Sequence, residues 1–115
     1  RFLETIEEQV AALEGIPPER FVRFLEKIER WEGFARSHAR WYLSGDLEAM
    51  MASGNEFPSR CPSIVDNRDP VLFERMKVFF ERGETIALVG TAHVPGLLKR
   101  FLAEGYSASG VGKPE

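Results

Sequence analysis

The stretch IALVGTAHVPGLL, residues 86–98, restricts the fold more than any other part of the chain. Residues 85–89, TIALV, form a continuous apolar run rich in β-prone side chains, which is the pattern of a strand covered on both faces. Gly90, two small residues and His93 follow. A helical pattern then starts at Pro95 and closes at Gly105, leaving YSASGV as a weaker final strand. Strand, helix and strand at this spacing predict a right-handed parallel crossover. Two strands make a poor sheet, so its completion is expected from polypeptide outside this chain or from pairing of copies.

The residues ahead of this unit read as helices. In RFLETIEEQVAALEG the apolar residues Phe2, Leu3, Ile6, Val10 and Leu13 recur at helical spacing and Gly15 is a suitable stop. Pro17 and Pro18 open a long helix, whose apolar face runs through Phe21, Phe24, Leu25, Ile28, Trp31, Phe34, His38 and Trp41 to an end near Ser44 and Gly45. Asp46 caps a short helix, and a Ser-, Gly- and Pro-rich loop follows. A further helix has Asp69 as N-cap, Pro70 as first residue, Gly83 as stop, and Val71, Leu72, Met76, Phe79 and Phe80 on its buried side. The closing GKPE is expected to fray. The expected fold is α/β: a helix-rich single domain spanning residues 1–115, with a small sheet of two to three strands covered by helices.

Composition removes several function classes. Apolar residues make up 43% and charged residues 29% of the 115, a balance that favours an ordered core over disorder. Fifteen basic residues are scattered among eighteen acidic ones for a net charge of −3, so phosphate-backbone binding has no electrostatic support and nucleic acid is not an expected partner. A single cysteine, Cys61, allows neither an intrachain disulfide nor a paired-cysteine zinc site. No apolar run is long enough to cross a bilayer, so no membrane contact is expected within this segment. Cytoplasmic and periplasmic locations both stay open.

His93 stands where α/β proteins gather ligands, just past a strand and before a helix, and Gly90 lets the backbone approach a ligand closely. Such a histidine can bind a metal or act as a base; equally, it can cap the following helix. Arg68 can reach an anionic group or orient a carboxylate, or can pair at the surface with Asp66 or Asp69. His38 reads as a core-edge histidine with one hydrogen bond. No pair of carboxylates stands out as an acid–base couple.

The segments ETIEEQ (4–9), YLSGDLEAM (42–50), NRDPVLFERM (67–76) and IALVGTAHVPGLLKRFLAEGY (86–106) resemble, in order and spacing, the second half of the TraB/GumN family, a group related to the Tiki metalloproteases. The resemblance covers nearly all of the chain and is strongest in the last segment. It implies a metal-dependent hydrolase in which two GxxH motifs, one in each half, converge on one site. By position, Gly90 and His93 match the second GxxH, with His93 as metal ligand and Gly90 as site backbone, and Arg68 matches the arginine of the family's RN pair as a candidate catalytic residue. Asp69 replaces the family's asparagine, and both residue types cap helices. The resemblance further implies a divalent metal ion in the complete protein, no cofactor and no activity in the isolated C-terminal half, and the N-terminal half as partner. A homodimer of the fragment and a non-catalytic role in binding a peptide signal are the alternatives.

Overall fold

The computed structural model describes residues 2–54 and 57–111; GKPE lies outside them, as do Asn55 and Glu56 of the loop. Its elements are α1 (Ile6–Glu14), α2 (Pro18–Glu26), a 3₁₀ turn (Ile28–Arg30), α3 (Trp31–Ser44), α4 (Leu47–Ser53), α5 (Asp69–Phe80), a second 3₁₀ turn (Thr91–His93) and α6 (Val94–Ala103). The expected α/β fold is therefore corrected: the described residues are helical and contain no strand or sheet. Residues 85–89 have no regular secondary structure: a strand needs a partner ladder, and none of the described segments supplies one to them. The expectation that this run is covered on both faces fails too. Ala87 and Val89 pack on the core, whereas Ile86 and Leu88 are 91% and 92% exposed. The segment YSASGV likewise forms no strand, although Tyr106 packs edge to face on Phe101.

The chain divides into two compact units, Arg1–Gly15 with Pro62–Glu115, and Ile16–Cys61. In the first, Leu72, Phe73 and Met76 of α5 close on Leu97 of α6, and Leu3, Phe80, Ala87, Val89 and Phe101 pack around them. Phe101 is the hub, with its ring 4.9 Å from Phe73 and 5.0 Å from Phe80. The first helix starts later than its apolar pattern suggests. Thr5 caps it through a reciprocal capping box with Glu8, so Phe2 and Leu3 precede the helix. Two arginine clamps hold this start. Arg68 grips Glu4, and Arg75 grips Glu8 (2.6 Å) while also donating to the Leu3 carbonyl (2.7 Å). The Arg75 hydrogen bond, with the Thr5 backbone N–H second, brings the Glu8 pKa down from 4.5 to about 2, so this clamp stays charged into strong acid.

In the second unit the expected long helix is broken. Pro18 does open α2, but regular helix ends at Glu26, and Phe24 and Trp31 meet edge to face, 5.2 Å apart, across the 3₁₀ turn. Gly45 ends α3 in the left-handed conformation with φ 72°, and Asp46 caps α4 by accepting from the Ala49 N–H, both as the sequence predicts. Arg20 draws the following loop back by donating to the carbonyls of Phe57, Pro58 and Arg60. Phe57 thereby packs on Trp31, Phe34 and His38.

His38 differs from expectation in having a buried Nδ1 with no hydrogen-bond partner. Burial, with Arg60 contributing a smaller repulsion, lowers its pKa below 6.5. In acid the unfolded chain takes up this proton before the folded one does. The His38 contribution is therefore fully present above pH 6.5 and declines as pH falls through the folded-state value. Unfolding of this unit, which holds both tryptophans, should show that decline by tryptophan fluorescence, and His38→Phe should flatten it; an equal slope in the variant would count against the assignment.

Candidate functional site

The spacing of the GxxH motif follows from a single turn. The His93 N–H donates to the Gly90 carbonyl (2.9 Å), closing the 3₁₀ turn that runs directly into α6. His93 is the N-cap of α6 by position, but its side chain caps nothing. The ring is instead 2.6 Å from Asp69, through Nδ1 to Oδ1, and both residues are buried, at 8% and 6% exposure. Asp69 is the first residue of α5 rather than its N-cap; that position belongs to Arg68, which makes no side-chain cap bond. The capping role expected of Asp69 is thus corrected to a contact with His93.

The carboxylate lies where two helices begin. It sits in the first turn of α5 and against the first turn of α6, at Gly96. The positive ends of both helix dipoles favour a negative charge there. Gly96 permits this packing: a Cβ at that position would overlap Asp69 Oδ2 and stand 3.0 Å from its Cγ.

His93 also lines a groove of about 800 Å³. Leu72, Met76 and Phe80 of α5 line it together with residues 85–90, and Arg68 and Glu4 supply charge. Gly90 has φ −63° and ψ 142°, an ordinary extended conformation, so the turn itself does not require glycine. A Cβ there would lie 3.7 Å from His93 Cδ2, in ordinary van der Waals contact with that edge of the ring. That edge carries Nε2, which makes no hydrogen bond among the described residues.

Arg68 lines the same groove. It is bound to neither Asp66 nor Asp69: Nε and Nη2 hold the two oxygens of Glu4 at 3.0 and 2.6 Å, and Nη1 donates to the Ile64 carbonyl.

A family model described as TraB/PrgY/gumN family matches residues 1–109, nearly the whole chain and all of this site. The chain belongs to the TraB/PrgY/gumN family. No curated protein and no solved structure matches it. In this TraB/PrgY/gumN chain, the three residues singled out from sequence, Arg68, Gly90 and His93, all line one groove. Asp69 is the residue that sequence reasoning missed. A signal for it was present in Gly96, because a glycine inside a helix often marks a close approach by a neighbour, here the Asp69 carboxylate.

Proposed function

We propose that this chain is the C-terminal portion of a metal-dependent hydrolase acting on peptide bonds, with a site completed by an N-terminal half that carries the first GxxH. The observation that supports this reading is the position of His93, which lines a groove, is held through Nδ1 by Asp69, and has no hydrogen bond at Nε2 among the described residues.

Among the described residues no group of three or more His, Cys, Asp or Glu gathers around a common point, whereas zinc sites use three or four protein ligands. His93 supplies one ligand and the N-terminal half supplies the others. A divalent ion held in this way offers Lewis acidity and activation of water. Arg68 orients anionic groups at the rim in exchange for its present partner Glu4, and Gly90 leaves room beside the imidazole.

The apolar lining of Leu72, Met76, Phe80 and residues 86–89 favours a second reading, in which the same groove binds a peptide signal without cleaving it. One comparison separates the two. Metal content and peptide cleavage by the protein with its N-terminal half should both fall at least tenfold in His93→Ala if it is a hydrolase. Peptide binding without cleavage, unchanged by the substitution, would favour sequestration.

A further inference from the structure

We infer that Asp69 is the positioning residue of His93: it fixes the ring in the tautomer that carries its proton on Nδ1 and leaves the Nε2 lone pair facing the groove. The inference rests on the reading of His93 as a ligand and adds to it the group that prepares the imidazole.

A neutral imidazole has one protonated and one unprotonated nitrogen, and the hydrogen bond made by one decides the role of the other. Asp69 Oδ1 stands 2.6 Å from Nδ1, and an ionised carboxylate can only accept, so the proton belongs on Nδ1. In a five-membered ring the Nε2–Cδ2 edge lies opposite Nδ1. This edge is the one beside Gly90, and Gly90 and His93 both line the groove. Nε2 has no partner among the described residues, so nothing competes for its lone pair. Carboxylate, imidazole and open nitrogen in this order are the arrangement that orients a metal-binding histidine and raises its basicity.

The carboxylate is seated as firmly as the ring. Gly96 lets the first turn of α6 close over Oδ2, and with burial at 6% exposure Asp69 has little freedom to turn away. An asparagine can still accept from Nδ1–H through its carbonyl, whereas alanine cannot.

Long-range proton–nitrogen NMR of the 115-residue chain tests this directly, because only two histidines contribute signals. The spectrum is recorded with the rings neutral and assigned with a His38→Phe variant. His93 should show a protonated Nδ1 and an unprotonated Nε2. Asp69→Ala should move the proton to Nε2, and Asp69→Asn should restore the original pattern. A wild-type ring protonated on Nε2, or an Asp69→Ala spectrum with no exchange of the two nitrogen signals, would overturn the inference. The wild-type measurement decides even if a variant fails to fold. Its outcome is distinguishable from that of the hydrolase reading: if the protein with its N-terminal half holds no metal while this chain shows the Nδ1–H tautomer, the hydrolase fails and the role of Asp69 stands.

Discussion

Phe73→Ala should destabilise the unit formed by residues 1–15 and 62–115 by about 3 to 5 kcal/mol, whereas Leu88→Ser should change it by less than about 0.5 kcal/mol. The contrast reverses a ranking by hydrophobic pattern, in which Leu88 belongs to a buried strand and Phe73 is off the helix's buried face. Phe73 is 4% exposed and stacks edge to face on Phe101, so truncation empties a space that α5 and α6 cannot both refill. Leu88 is 92% exposed and leaves nothing behind. Set against total stabilities of about 5 to 15 kcal/mol, the first change removes a large share, so α5 and α6 should open far more often. Hydrogen exchange at the Leu97 and Phe101 amides reads this out. Protection lost equally in both variants, or in neither, would contradict the core described here.

Gly96→Ala should also destabilise the chain, although alanine is the better helix former by about 1 kcal/mol. The added methyl would overlap Asp69 Oδ2 and stand 3.0 Å from Cγ, so the short buried carboxylate must rotate off His93. Leaving that pair unsatisfied costs about 1 to 3 kcal/mol, which exceeds or matches the helix gain. The sign therefore turns on Asp69, and a double-mutant cycle isolates it. In an Asp69→Ala background the obstacle is gone, and Gly96→Ala should become stabilising. Equal effects in both backgrounds, measured by thermal unfolding, would mean that the carboxylate is not what Gly96 accommodates.

Much of the helical framework could be read from punctuation. Pro18, Gly45, Asp46, Pro95 and Gly105 mark helix ends close to where the chain places them, because proline and glycine act through their own backbone geometry. The sheet could not be read in the same way. TIALV has strand chemistry, but a strand exists only with a partner, and residue type says nothing about whether one is present. The long helix from Pro18 to Ser44 was misread for a related reason. Its apolar face is continuous, yet the packing of Phe24, Trp31 and Phe57 sets the break at Lys27.

The site was legible in part. His93, Gly90 and Arg68 stood out through one motif and its flanks, and they line one groove. Asp69 and Glu4 did not stand out, because their partners lie 24 and 64 residues away in sequence. Each has an obvious local explanation that hides the long-range one: a helix start for Asp69 and a solvated helix face for Glu4.

The central claim is that His93 presents Nε2 to a metal ion shared with the N-terminal half. Anomalous X-ray diffraction from crystals of the protein containing both halves tests it most directly. The expected result is an anomalous peak about 2.0 to 2.1 Å from His93 Nε2, with Nδ1 still on Asp69. A bound metal located away from His93, or a His93 ring turned so that Nε2 rather than Nδ1 meets Asp69, would contradict it.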